Sequence, residues 1–303
     1  GDWSSDVCSS DLEMIRTDYT KMERLRSYSS IFSRSVFSDI IEYDDYTRLN
    51  TILNRYDSKK EHFSTYFDYI KYIYRIIAKD YRCEYIYKNE IINKLLINKY
   101  GTKNTIAINE FRVQNSIVDF ALFNGESKAF EIKTEYDTKK RLERQIESYS
   151  KLFQKCYIVV PEESYQDYDE CISENVGIII LSREKGRIRL DEKKEAIVNK
   201  NIDTSVLMRS VRATEYRNIV TEYFGELPNV SCFDMFDKCQ ELIAQIPQPQ
   251  LHILFLNEIK KRINNTQLLK SFPAEIRQIC LSMNLNQRQS ESLLKKLNNN
   301  III

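Results

Sequence analysis

Five short runs of β-branched and aromatic residues follow one another in the middle of this chain, between residues 105 and 181. They read TIAINEF, SIVDFALF, KAFEIKT, CYIVV and VGIIIL, and turn residues bound each of them. Runs of this length and composition predict strands. Two stretches with helical spacing, near 138–153 and 163–174, follow the third and fourth runs. This order of strands and helices predicts an α/β fold.

The chain on either side of this region has the spacing of helices. Apolar side chains recur every three or four positions before about residue 88 and after about residue 200. The last two runs have the proportions of a helix-turn-helix, although two helices that simply pack would look the same. The predicted division is an N-terminal helical segment over 13–87, a core over 88–200 and a C-terminal helical domain over 201–303.

Two local segments need separate interpretation. Residues 1–12, GDWSSDVCSSDL, show neither the periodicity of a helix nor that of a strand, and they resemble a translated cloning adaptor. We therefore interpret them as a non-native leader that is not part of the fold. The stretch NEIINKLLINKYG predicts a helix that Asn89 caps and Gly101 ends, with Glu90 in its first turn.

Composition limits the classes of function. The 303 residues carry a net charge of +1, so attraction to a polyanion has to come from a local patch. No apolar stretch has the length of a membrane span and no leader precedes a cleavage site, which leads us to expect a cytoplasmic protein without a membrane partner. The sequence makes no prediction about oligomeric state.

Histidine and cysteine chemistry is unsupported. The seven cysteines lack paired metal-ligand spacing, and Cys156 adjoins a strand-like run, where a buried free thiol is expected. The two histidines, His62 and His252, are far apart and are interpreted as ordinary packing or surface residues. Catalytic triads and zinc sites depend on such residues, so any chemistry is expected to use carboxylates and amines.

The register of one predicted hairpin connects the strands to chemistry. Pairing Phe120 with Phe130 keeps the apolar residues of both strands, including Val118, on one face, and it sets Asp119 across from Glu131. This register requires a loop of odd length, such as Asn124-Gly125-Glu126 with Gly125 at positive φ.

Two carboxylates in this relation have β-carbons roughly 4.5–5.5 Å apart. They repel one another, and one takes up a proton unless a cation lies between them. Mg²⁺ suits such a pair because it prefers oxygen ligands, and the carbonyl of Ile132 could supply another. Lys133 points to the same face and could stabilise charge on a phosphate. The alternative is a solvent-facing acidic pair balanced by a lysine.

The helix that follows adds basic and polar groups. Residues 138–155 contain six Lys or Arg against two Glu. Gln145 and Tyr149 are one turn apart, so their polar ends can face the same edge. Basic residues beside such a carboxylate pair indicate a phosphodiester backbone, although a solvated helix face explains the charges alone.

These residues together resemble the PD-(D/E)XK nuclease superfamily and, within it, a bacterial branch with a RecB-like QxxxY motif. The resemblance covers roughly residues 88–182, with EIK at 131–133 and Gln145-x-x-x-Tyr149 as its motifs. It implies a restriction-endonuclease-like α/β/α core with a central mixed sheet, and Mg²⁺-dependent hydrolysis of nucleic-acid phosphodiesters, with Mn²⁺ as an alternative ion. Val118 stands where the family has proline.

The resemblance also implies a role for each matching residue. Asp119, Glu131 and the Ile132 carbonyl would hold the metal, and Lys133 would be the catalytic lysine. Glu90 would be an acidic helper, and Gln145 with Tyr149 would orient the site. We further expect neighbouring phosphates to be held by Lys140, Arg141 and Arg144.

The leading hypothesis is therefore a metal-dependent deoxyribonuclease with DNA as its partner and RNA as an alternative. A second hypothesis is a catalytically silent module that keeps the nuclease fold and binds nucleic acid. A third is a protein-interaction module in which the helical segments carry the main role.

Overall fold

The structure is a computed structural model that describes residues 19–58 and 63–301. It confirms the α/β class: a six-stranded mixed sheet is flanked by helices. The adaptor-like leader and His62 lie outside the described residues. The strands are β1 Ile106–Val113, β2 Ser116–Phe123, β3 Ser127–Ile132, β4 Lys155–Pro161, β5 Gly177–Glu184 and β6 Arg187–Lys194.

Strand order in the sheet follows the chain from β1 to β6. Strands β1, β2 and β3 pair antiparallel, β3, β4 and β5 pair parallel, and β6 returns antiparallel to β5. Parallel neighbours need a crossover, and the helical stretches after β3 and β4 supply it. These are the two helical stretches that the sequence predicted.

Helices occupy the predicted regions before, within and after the sheet. Those before it are α1 Lys21–Ser29, α2 Arg34–Tyr43, α3 Thr47–Tyr56, α4 Tyr66–Asp80 and α5 Glu84–Glu90. The crossovers contain α6 Leu142–Ser150 and α7 Tyr165–Asp169. Those after the sheet are α8 Thr204–Ser210, α9 Ala213–Phe224, α10 Met235–Ile243, α11 Gln248–Lys260, α12 Arg277–Met283 and α13 Gln287–Leu297. No described helix has both the length and the apolar character needed to cross a bilayer.

The predicted register of the β2–β3 hairpin is confirmed from the loop to the pair Phe120–Phe130, where the regular ladder ends, one residue short of the predicted pairing of Asp119 with Glu131. Phe120 pairs with Phe130 and Phe123 pairs with Ser127, which leaves the three-residue loop Asn124-Gly125-Glu126. Gly125 has a φ of 98°, in the left-handed region that glycine adopts without a side-chain penalty. The observed register therefore buries both Phe120 and Phe130, as the alternation of apolar residues predicted.

Val118 departs from the predicted face. It packs in the same cluster as Phe111, whereas Phe120 packs in the cluster on the other side of the sheet. The side chains change from one face of the sheet to the other between the pairs Asn109–Phe120 and Phe111–Val118. Glu110 of β1 lies at this point and has a φ of 57°. This left-handed residue interrupts the alternation, so a face assignment from a strict period of two fails here.

Two hydrophobic clusters cover the two faces of the sheet. The first joins Phe120 and Phe130 to the N-terminal helices and to α12 and α13, so both ends of the described chain pack on one face. The second joins Phe123 and Ile158 to α6 and to helices α8–α11. The sheet is thus a layer between helices, and Asp119 lies where its faces exchange.

The helix around Glu90 starts earlier than predicted. Helix α5 begins at Glu84 after Cys83, and a π-type helix continues it from Ile91 to Tyr100. Gly101 follows directly with a φ of 76°, so the predicted end is confirmed. The predicted cap at Asn89 is wrong, because its amide is buried and bonded to Tyr74 and to main-chain groups near α12.

The histidine and cysteine interpretations agree with the structure where it describes them. His252 is buried in α11, and burial lowers its pKa. Cys156 is a buried free thiol, and burial raises its pKa to about 12. Neither side chain lies among the groups that cluster at β2 and β3.

Candidate active site

Asp119 of β2 is anchored to β3 through its side chain. Its Oδ2 accepts a hydrogen bond of 2.7 Å from the main-chain N–H of Ile132. Phe120–Phe130 is the last regular pair of the ladder. Beyond it, a side-chain oxygen of Asp119 accepts the hydrogen bond from the β3 main chain. Asp119 is thus fixed beside the strand segment that carries Glu131.

Glu131 is buried and both of its oxygens are engaged. It is 2% exposed. Lys133 Nζ lies 2.7 Å from Oε1, and Tyr149 Oη donates to Oε2 across 2.8 Å. A buried carboxylate requires such partners because desolvation disfavours its charge. The arrangement fixes the orientation of the Glu131 side chain from two directions.

Helix α6 delivers the two polar residues of the QxxxY motif. Gln145 Oε1 accepts a hydrogen bond of 3.1 Å from Lys133 Nζ. Tyr149 Oη also lies 2.6 Å from the carbonyl oxygen of Ile117. The helix presents both residues on one side because they are one turn apart, and it packs on the sheet through Leu142 and Ile146.

The electrostatics of the site reflect two neighbouring acids. Burial raises the pKa of Asp119 to about 7, and the negative charge of Glu131 acts in the same direction. The Ile132 N–H and the ammonium of Lys88 act against this rise. Burial and the charge of Glu131 also raise the pKa of Tyr149, so its hydroxyl stays a donor.

Glu90 does not join this cluster through any contact in the described chain. Its Oε1 accepts from Tyr74 Oη at 2.8 Å and from Asn93 Nδ2 at 3.4 Å, and Lys94 Nζ lies 3.9 Å from its Oε2. These partners belong to α4 and to its own helical segment. Glu90 was expected at a helix start, and its place within the helix turns it toward the first hydrophobic cluster instead.

Helix α5 supplies two charges that the sequence interpretation missed. Lys88 is 4% exposed, and its Nζ lies 2.6 Å from Glu84 Oε1 and 3.7 Å from Glu110 Oε1. Both Lys88 and Glu84 act on the pKa of Asp119. Their spacing of four residues was visible in the sequence, but the helix was expected to begin only at residue 89.

The three basic residues expected to hold phosphates are exposed. Lys140 and Arg141 lie in a 3₁₀ turn that leads into α6. Arg144 borders a cleft of about 350 Å³ between α6 and the β1–β2 turn, together with Lys151. The side chains of Lys140, Arg141 and Arg144 are open to solvent, at the start of the helix that also carries Gln145.

The oxygen atoms of this site suit a hard divalent ion that keeps water molecules as its remaining ligands. Two carboxylates and the Ile132 carbonyl are oxygen donors on adjacent strands, and such an ion prefers oxygen ligands. No group of three or more His, Cys, Asp or Glu residues that could hold an ion occurs within 19–58 and 63–301. An ion here would therefore depend on water and main-chain oxygen.

Fold and site define an α/β protein with an acid–lysine cluster where two central strands meet, supported by polar residues of the next helix. The family model for bacteriophage P4 protein cII matches residues 77–302, a range that includes every residue of this cluster. The chain belongs to the bacteriophage P4 protein cII family.

A curated relative and a solved structure are also similar to this chain. Protein cII of Enterobacteria phage P4 is 23% identical over 186 residues, which are 60% of this chain and 65% of that protein. The alignment therefore spans just under two thirds of the relative. A protein of unknown function from Silicibacter pomeroyi, SPO1766, matches at 15% identity and a TM-score of 0.28, over 43% of this chain and 86% of its own.

Proposed function

We propose that this protein is a divalent-metal-dependent nuclease that hydrolyses phosphodiester bonds of DNA. The observation that carries the proposal is the network of Glu131, Lys133, Gln145 and Tyr149 beside Asp119. The five residue types that the nuclease resemblance requires come from β2, the end of β3 and α6, and they are in hydrogen-bond contact or on adjacent strands.

The chain's own groups divide the work as follows. Asp119, Glu131 and the Ile132 carbonyl would hold Mg²⁺ or Mn²⁺. Such an ion, when bound, polarises a phosphate oxygen and lowers the pKa of a water molecule. The Ile132 N–H fixes Asp119, and Tyr149 fixes Glu131, so both carboxylates are oriented before substrate arrives.

Lys133 would stabilise the negative charge that develops on the phosphate. Its ammonium has three donors, and Glu131 and Gln145 accept two of them. The third N–H is the donor left for a phosphate oxygen. A preoriented cation of this kind lowers the barrier because it need not reorganise during the reaction.

A second candidate is a nucleic-acid-binding module without turnover. It is favoured by the engagement of both Glu131 oxygens and by the lack of a third acidic ligand in the described chain. Such a module would bind DNA with a steep salt dependence and would release no cleaved product with either metal.

Cleavage of supercoiled, linear and single-stranded DNA and of RNA, with Mg²⁺, Mn²⁺ or EDTA, tests the proposal. Wild-type protein should nick or digest DNA only with metal, and Glu131→Gln should lower the rate at least ~100-fold, the scale expected for loss of an oriented catalytic group. Glu147→Gln, an exposed change on α6, is the matched control. Full activity in folded Glu131→Gln protein would refute the site, and binding without cleavage would favour the second candidate.

A further inference from the structure

A separate pocket on the outer strand of the sheet gathers three arginines. Arg34 at the start of α2, Arg212 at the N-terminus of α9 and Arg262 after α11 line a cavity of about 190 Å³ against Ala107–Asn109 of β1. Within the described chain, its lining contains three guanidinium groups and no carboxylate. Elements far apart in sequence thus bring like charges together.

The pocket combines one fixed arginine with two accessible ones. Glu215 holds Arg262 through two hydrogen bonds of 2.7 Å, and the guanidinium lies 5.3 Å from the ring centre of Phe111. The side chains of Arg34 and Arg212 are 57% and 70% exposed. One arginine held by a carboxylate and two exposed arginines at the rim suit an anion that enters from solvent.

An unpaired amide at the pocket indicates that its polar lining is incomplete. The amide nitrogen and oxygen of Asn109 are buried, and neither has a hydrogen-bond partner in the described chain. Buried polar atoms without partners are costly, and they often mark a site where a ligand or water completes the bonding. An anion oxygen near β1 would give the Asn109 amide an acceptor.

The local charge balance suits an anion with a single charge. Glu215 lies behind Arg262, and Glu110 is shared by Arg34 at 3.5 Å and Lys88 at 3.7 Å. Lys88 is also paired with Glu84, so the three arginines and Lys88 lie against three carboxylates and one positive charge remains. A backbone phosphodiester carries one negative charge. Its two unbridged oxygens also match the fork of a guanidinium group.

The pocket is joined to the candidate active site through Glu110. Glu110 contacts Arg34, and it also lies 3.7 Å from Lys88, whose charge acts on Asp119. In the β1–β2 ladder it lies between the pairs Asn109–Phe120 and Phe111–Val118, at the level of Asp119. The pocket lies against β1, which is next to the strand of Asp119 and two strands from that of Glu131.

We propose that the pocket of Arg34, Arg212, Arg262 and Asn109 binds a backbone phosphate of a nucleic acid flanking the point of cleavage. This inference rests on the proposed function for its choice of nucleic acid. It assigns substrate binding to α2 and α9, outside the segment of the nuclease resemblance. Exposed Ile263 at the same pocket adds an apolar surface beside the phosphate position.

Binding of a fluorescein-labelled DNA duplex in EDTA, followed by fluorescence anisotropy at several salt concentrations, tests the proposal without cleavage. The double variant Arg34→Gln/Arg212→Gln should bind on the order of tenfold more weakly, the loss of one charge-assisted contact. The slope of log affinity against log salt should fall by about one. Arg187→Gln, an exposed arginine on β6 at the opposite edge of the sheet, is the matched control and should match wild type.

Equal affinity and equal salt slope in folded double variant and wild type would overturn the proposal. Inorganic phosphate supplies a second arm, read by thermal unfolding. If phosphate alone stabilises wild type but not the double variant, while duplex binding is the same in both, the pocket takes free phosphate and the nucleic-acid assignment fails.

The test separates this inference from the nuclease itself. If wild type never cleaves but the double variant loses duplex affinity and salt slope, the pocket stands and the hydrolase fails. If Glu131→Gln abolishes cleavage while the double variant binds and cleaves as wild type does, the hydrolase stands and the pocket fails.

Discussion

The Oη of Tyr149 lies 2.8 Å from Glu131 Oε2, and this contact fixes the acidic residue of the EIK motif from the following helix. The same hydroxyl is 2.6 Å from the carbonyl of Ile117. One phenol thus joins α6 to both strands that bear the paired acids.

Tyr149→Phe should therefore destabilise the protein while it keeps the ring in place. The change removes the one O–H donor that lies within hydrogen-bond distance of both the buried Glu131 Oε2 and the Ile117 carbonyl, at a cost of ~1–3 kcal/mol. Urea unfolding would measure the loss. Tyr136→Phe, whose ring is 55% exposed, is the control and should change the free energy of unfolding by less than about 0.5 kcal/mol.

Lys133 and Glu131 should show strong energetic coupling. Their side chains are 10% and 2% exposed, so Lys133→Met leaves a buried carboxylate without its cation and should cost ~3–5 kcal/mol. Glu131→Gln in the same chain should recover part of that loss, since the uncompensated charge is gone.

A double-mutant cycle measures this coupling. The exposed pair Lys151–Glu147 on α6, at 2.8 Å, is the comparison and should couple by no more than about 0.5 kcal/mol. Additive effects of Lys133→Met and Glu131→Gln would contradict a buried ion pair. Neither single variant should cleave DNA if the proposed function holds.

Glu215 should make stability depend on acid pH. Burial favours a higher pKa, but hydrogen bonds from the Arg262 guanidinium and the Arg212 main chain outweigh it and lower the pKa of Glu215. A lowered folded-state pKa gives stability that is present above the ordinary value of 4.5 and is lost as pH falls through the folded value.

Urea unfolding of wild type and Glu215→Gln across this range measures the effect. The stability gap between the two proteins should be largest near neutral pH and should shrink steadily below about 4.5, where Glu215 becomes protonated. A stability difference between the two proteins that stays constant with pH would show that the negative charge of Glu215 does not contribute to stability.

Gly177 at the start of β5 should reject any side chain. A β-carbon there would overlap the ring of Tyr157 and lie 2.8 Å from the main-chain nitrogen of Ala196. Gly177→Ala is expected to cost ~1–3 kcal/mol through overpacking. Gly186→Ala, with open space around it but a φ of 80°, should cost only about 1 kcal/mol. Thermal unfolding would rank the two variants.

The sequence predicted the parts of the fold that depend on local pattern. The β2–β3 register followed from where Phe120 and Phe130 must be buried, and Gln145 and Tyr149 followed from helical spacing. Both inferences needed only one or two neighbouring elements. The structure places Lys133 against Gln145, as that spacing suggested.

The features that the sequence did not predict correctly have identifiable physical causes. Strand β6, RIRLDEKK, was not predicted because an edge strand with solvent on one side carries charges in place of apolar residues. Val118 was assigned to the wrong face because nothing in the sequence marked Glu110 for a left-handed φ. The arginine pocket was not predicted because its three arginines come from segments far apart in the sequence.

The packing of both ends of the described chain on one face of the sheet has a consequence for the order of folding. Neighbouring strands are neighbours in the chain, so the sheet can assemble progressively during synthesis. Helix α2, by contrast, meets α13 only after the residues of α13 emerge, when Lys296 reaches the Ile41 carbonyl and Asp44. A nascent chain released early would leave its first helices without their final cover, in a form that chaperones and proteases recognise.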